Sequence, residues 1–182
     1  MGKKIVISFP GGRGAEIPLL YFGAKYYEDM GYEKVFINNP QCGELDSDEL
    51  LEVLLENAKQ QIDSLSLQEY DEIVFIGKSI GTVVACRIKE TYHLPTKLVL
   101  FTPIDATLEY IKADNDVLLV VVGTKDWGMD ANKLKKLCDS ENIQCYVEDN
   151  VGHRMEVMND LKRNLEIVYN VIIRVPYKGH HF

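Results

Sequence analysis

The stretch DEIVFIGKSIGTVVA, Asp71 to Ala85, decides how the chain is read. A β-branched apolar run, Glu72 to Ile76, meets Gly77-Lys78-Ser79-Ile80-Gly81, and an apolar helical pattern follows directly. Gly-Lys-Ser is also how a phosphate-binding P-loop ends, but that loop needs a glycine five positions before Gly77. Glu72 stands there, and Ile73 to Ile76 are the strand itself, so they are not free to cradle a phosphate. The same residues read as Gly77-x-Ser79-x-Gly81 describe a different device. The chain leaves a strand, turns sharply and enters a helix, with small residues on both sides of a serine in strained backbone. That turn lifts the Ser79 hydroxyl above the sheet and aims a helix N-terminus at it. The alternative is that Ser79 caps the helix.

Strand and helix signals alternate on both sides of this stretch. KKIVISF is a strand closed by Pro10-Gly11-Gly12, and a helical pattern follows up to Gly31. KVFIN is a second strand; Asp46 or Ser47 caps a long helix with an apolar face of Leu50, Leu54, Ala58, Ile62 and Leu65. After the Ile80–Thr91 helix come KLVLF, DVLLVVVG, the helix ANKLKKLCDSE, the strand IQCYVE and a last helix expected over about 153–171. Six strands alternating with helices, most of them continuously apolar, predict a three-layer αβα sandwich on a mainly parallel sheet. Residues 1–175 are expected to form one domain and 176–182 a short tail, whose His180-His181 pair lacks a third metal ligand.

The chain has 182 residues, with 20 Lys and Arg against 28 Asp and Glu, a net charge of −8. That charge repels nucleic acid and anionic membrane, so neither is an expected partner. No apolar run is long enough to span a bilayer, and the N-terminus reads as a strand rather than an export signal. Cys42, Cys86, Cys138 and Cys145 show no metal or disulfide spacing and are expected to be reduced thiols in the cytoplasm. Cys42, in a loop, is the one with any claim to reactivity, though no motif places a base beside it.

In open sheets of this kind ligands bind beyond the carboxyl ends of the strands. FPGGRGAEI, after the first strand, resembles a dinucleotide loop, but Ile17 stands at its third glycine and INNP where a ribose-binding acid belongs. A serine nucleophile needs a base, and the base an orienting acid. Asp126, in GTKDWGMD after the fifth strand, and His153, in EDNVGHRME after the sixth, follow Ser79 in the order Ser, acid, His. Asp105 is a lesser candidate for the acid; Asp130 suits a helix cap and His93 a helix end.

On GKSIG, GTKDWGMDANKL and VGHRME the sequence resembles the α/β-hydrolase superfamily, and within it the small, lidless esterase-like members. The resemblance spans nearly the whole chain. It implies Ser79 as nucleophile, His153 as general base and Asp126 as its orienter. It also implies an oxyanion hole of the Ile80 and Gly12 backbone N–H groups, with Pro10-Gly11-Gly12 where the family usually has His-Gly-x. Relatives often carry a lid after the strand that ends here at Phe101-Thr102-Pro103, whereas only Ile104 to Asn115 are available, room for one short helix. The expected site is shallow and open, taking a small acyl substrate, ester or thioester, with no cofactor and no metal, in a monomer or homodimer. Arg13, Lys78 and Trp127 are the substrate-binding candidates; Arg13 and Lys78 suit an anionic substrate or else form a solvated basic rim. The alternatives from other classes are a non-catalytic binding or signalling module on the same sheet, or a Rossmann-like nucleotide binder.

Overall fold

The computed structural model describes residues 2–12, 17–42 and 45–176. Arg13 and the His180-His181 pair lie outside the described residues. The strands are β1 (Lys4–Phe9), β2 (Glu33–Phe36), β3 (Glu72–Lys78), β4 (Thr96–Phe101), β5 (Val117–Gly123) and β6 (Cys145–Glu148). The helices are α1 (Pro18–Glu28), α2 (Ser47–Asp63), α3 (Ile80–Tyr92), α4 (Ala131–Ser140) and α5 (Leu161–Ile172). The strands form one six-stranded sheet, ordered β2-β1-β3-β4-β5-β6, and every neighbouring pair is parallel.

The two-residue period of a strand divides its side chains between two layers. Ile5, Ile7, Phe75, Leu98, Val120 and Val122 pack with α2, α3 and α4. Val6, Val74, Ile76, Val99, Phe101 and Val121 pack on the other face with α1 and α5. Both faces are therefore covered, which is why these strands read as unbroken apolar runs. Each helix start has a local cause. Proline opens α1, where its missing N–H leaves nothing unsatisfied. The Asp46 carboxylate accepts from the Asp48 and Glu49 amides to open α2, and Asp130 does the same for α4 with Asn132 and Lys133.

Three expectations are corrected. The buried stripe of α2 is Leu51, Leu54, Leu55, Ala58 and Ile62, with Leu50 and Leu65 at its edge. The last helix begins at Leu161, because Asp160 caps it through the Arg163 amide, while Asn164 reaches back to both the amide and the carbonyl of Val157. His153 thus sits on an irregular loop well ahead of α5. Between β4 and β5 there are two short 3-10 turns, Asp105–Tyr110 and Ala113–Asn115, rather than one short helix. No helix among the described residues is long and apolar enough to cross a membrane.

Candidate active site

Ser79 links β3 to α3 with φ 56° and ψ −132°, a conformation that ordinary residues avoid. Two glycines make the turn possible. A Cβ on Gly77 would stand 2.6 Å from the Thr82 Cα, and one on Gly81 would stand 2.3 Å from the Phe9 carbonyl oxygen. The Ser79 amide donates to the Phe101 carbonyl at 3.1 Å, and the Thr82 hydroxyl donates to the Ser79 carbonyl at 2.6 Å. The Ser79 side chain does not cap α3, so the capping alternative fails. Its Oγ lies 2.8 Å from His153 Nε2 instead.

His153 and Asp126 arrive on the loops after β6 and β5, and those loops are sewn together. Lys125 N–H donates to the Val151 carbonyl at 2.9 Å, and the Asn150 amide donates to the Thr124 hydroxyl at 2.8 Å. Gly123 permits the crossing, since a Cβ there would stand 2.0 Å from the Val151 oxygen. His153 Nδ1 lies 2.8 Å from Asp126 Oδ1 and 3.1 Å from Oδ2. The Asp126 side chain is 0% exposed, and its Oδ1 also accepts the Gly128 amide at 2.8 Å. A carboxylate only accepts, so Nδ1 carries the ring proton and Nε2 is left to accept from the Ser79 hydroxyl. The other acids take different roles: Asp130 caps α4, and exposed Asp105 pairs with Lys133 at 3.7 Å. His93 terminates α3, and Cys42 lies in its loop with Sγ 3.6 Å from the Pro40 carbonyl.

The loop after β1 comes close to the serine. A Cβ on Gly11 would stand 3.0 Å from the Ser79 Cβ. The Asn39 side-chain amide, from the loop after β2, donates to the Gly11 carbonyl at 3.1 Å and to the Pro10 carbonyl at 3.3 Å. In a trans peptide the next N–H points opposite to the carbonyl, so this bond sets the direction of the Gly12 N–H, away from Asn39. The Ile80 N–H belongs to the first turn of α3, where amides have no acceptor within the helix.

A cavity of about 400 Å³ opens here, lined by Gly11, Gly12, Ile17, Lys78, Ser79, Trp127, His153, Arg154 and Glu156. Trp127 is 82% exposed, and its ring centroid lies 4.8 Å from that of His153. Lys78 departs from expectation. It is 4% exposed, not part of a solvated rim, and its ammonium donates to the Thr102 hydroxyl and the His153 carbonyl, both at 2.9 Å. Burial lowers its pKa to about 8, against the opposing pull of Asp126 and Glu156. Two of its three N–H donors are thus spent inward, although the residue also lines the cavity. No group of three or more His, Cys, Asp or Glu among the described residues is arranged to hold a metal. Asn39 and Thr102 are given no role by the sequence reading, and Arg154 and Glu156, though within VGHRME, are not singled out there; the signal available for the first two was their place just after a strand end.

No family model and no curated protein matches the chain. Solved structures do. An α/β serine hydrolase homologue from Coxiella burnetii superposes with a TM-score of 0.69 at 14% identity, over 96% of this chain and 85% of that one. A serine hydrolase without a lid from Xanthomonas campestris gives 0.63 at 13%, over 98% and 86%. Est1E from Butyrivibrio proteoclasticus, with ferulic acid bound, gives 0.67 at 13%, over 96% and 90%. The chain has the α/β-hydrolase fold, in the minimal form that lidless members share.

Proposed function

We propose that this chain is a serine hydrolase that cleaves a small carboxylic ester or thioester through an acyl-enzyme on Ser79. The observation that carries this reading is the unbroken series Ser79 Oγ, His153, Asp126, with both links at 2.8 Å, at the mouth of the cavity. In the proposed reaction Ser79 Oγ attacks the carbonyl carbon as its proton passes to His153 Nε2. Asp126 holds the ring in the tautomer that accepts and stabilises the imidazolium. The oxyanion takes hydrogen bonds from the Gly12 and Ile80 amides. Collapse of the tetrahedral species breaks the bond to the alcohol or thiol, which leaves with the proton from His153. Water then repeats the cycle on the acyl-serine, releasing the acid and restoring the Ser79 hydroxyl. Trp127, Arg154 and Glu156 stand on the open rim and support a small acyl group presented from solvent. Est1E, which binds ferulic acid on the same fold, supports an ester substrate.

A fluorophosphonate probe tests the reading. The wild type is labelled and Ser79→Ala is not, and substituting Ser79 or His153 lowers kcat on a cleaved ester by about 10³-fold or more. A well-folded wild type that neither labels nor turns over a panel of esters and thioesters overturns it, and a melting shift with an acyl ligand in that case identifies a binding module.

A further inference from the structure

Lysine is among the residues least suited to an interior, yet Lys78 is buried beside the proposed nucleophile. Its place follows from the strand. On β3 it has the parity of Val74 and Ile76, which face the layer of α1 and α5. Val151 and Met155, on either side of His153, are buried in that same layer. A side chain leaving the end of β3 in that direction meets the His153 loop. Its ammonium donates at 2.9 Å to the His153 carbonyl and at 2.9 Å to the Thr102 hydroxyl. Thr102 is itself fixed, fully buried at φ 43°, with its amide on the Val121 carbonyl at 2.7 Å. One side chain therefore ties the main chain of His153 to the carboxyl ends of β3, β4 and β5.

A methionine has similar length and fills similar space without a charge to desolvate. An ammonium at this position instead forms charge-assisted bonds, which are shorter and stronger than neutral ones. On the hydrolase reading, we infer that Lys78 is a positioning residue: its ammonium grips the His153 carbonyl and keeps the imidazole within reach of both Ser79 and Asp126. The charged groups around it are Asp126 on the loop after β5, and Arg154 and Glu156 on the loop after β6, with the His153 imidazole beside them. Asp126 and Glu156 favour its charged form, and burial opposes it. Loss of the charge leaves an amine with N–H groups enough for both bonds but without their charge assistance, so the grip weakens and does not vanish.

The test compares wild type, Lys78→Met, Lys78→Arg and Thr102→Val for kcat, KM and fluorophosphonate labelling rate across neutral to alkaline pH. Lys78→Met is expected to lose about 10-fold or more in kcat and labelling rate while KM stays within about twofold, because the bonds it loses run to the His153 carbonyl and Thr102. Thr102→Val, which removes the other acceptor, loses less, and Lys78→Arg, which keeps the donors and the charge, retains more than Lys78→Met. The wild-type kcat is expected to fall as Lys78 loses its proton, at about pH 8, and the Lys78→Met profile to lack that step. An active wild type beside a folded Lys78→Met of equal kcat, or with the same step, overturns this inference alone. Should Lys78→Met fail to fold, a folded Thr102→Val with wild-type kcat and labelling rate overturns it. A wild type that neither labels nor hydrolyses overturns the hydrolase reading and this inference with it.

Discussion

The Asn39 side-chain amide donates to the Gly11 carbonyl at 3.1 Å, across 28 residues of sequence. Since the Gly11 carbonyl and the Gly12 N–H share one peptide plane, Asn39 aims an amide that it never touches. Asn39→Ala is expected to lower kcat about 10-fold with KM nearly unchanged, less than the 10²–10³ seen when an oxyanion donor is removed outright. Steady-state kinetics on any cleaved ester decides it; a change in KM alone indicates a substrate contact instead.

The backbone of Ser79 predicts a trade of stability against activity. Its φ of 56° and ψ of −132° suit glycine far better than serine. Ser79→Gly is expected to raise stability by about 1 kcal/mol, the relieved strain less the added flexibility of the unfolded chain. Ser79→Ala keeps the strain and shows no such gain. Both lose activity, so urea denaturation of the two inactive variants isolates the strain.

Gly123, at the end of β5, and Gly152, on the loop after β6, make a matched pair where the two loops are sewn. A Cβ on Gly123 would stand 2.0 Å from the Val151 oxygen, whereas one on Gly152 comes no closer than 3.4 Å to the Lys125 oxygen. Gly123→Ala is expected to destabilise by about 1–3 kcal/mol and to depress kcat by displacing the loop that carries His153. Gly152→Ala leaves both nearly unchanged. Thermal melts and kinetics of the pair check this, and equal damage from both refutes it.

The depressed pKa of Lys78 sets a direction for stability against pH. The folded protein releases this proton near pH 8, the unfolded chain near 10.5. Between those values the unfolded state binds more protons, so this group adds stability as pH rises, up to roughly 3 kcal/mol. The buried Cys86 thiol, whose pKa burial raises, acts in the opposite direction above its ordinary value of 9.0. The quantity to read is therefore the difference between wild type and Lys78→Met, which shifts in favour of the wild type from neutral pH to about pH 9.5. A difference that does not change with pH excludes a lowered pKa for Lys78 in the folded protein.

The sheet was legible because both its faces are buried and its strands announce themselves as apolar runs. Ser79 was legible because only glycines tolerate the approach of Thr82 at Gly77 and of Phe9 at Gly81, and that steric demand fixes their spacing. Asp126 and His153 followed from their places beyond strand ends. The start of α5 was missed because Val151, Met155 and Met158 continue a helical spacing through the loop, while the cap at Asp160 decides where the helix begins. Burial of Lys78 and the aim of Asn39 depend on partners 75 and 28 residues away, and no local pattern encodes a bond from a side chain to a distant carbonyl.

The all-parallel order has a consequence in time. Ser79 meets His153 across 74 residues and His153 meets Asp126 across 27, each delivered by the end of a different strand. Parallel pairings close long loops before they return any contact energy, so they form slowly. The nucleophile and its base meet only when the strands from β3 to β6 are paired, which makes reactivity of the serine a clock for completion of the sheet rather than for collapse.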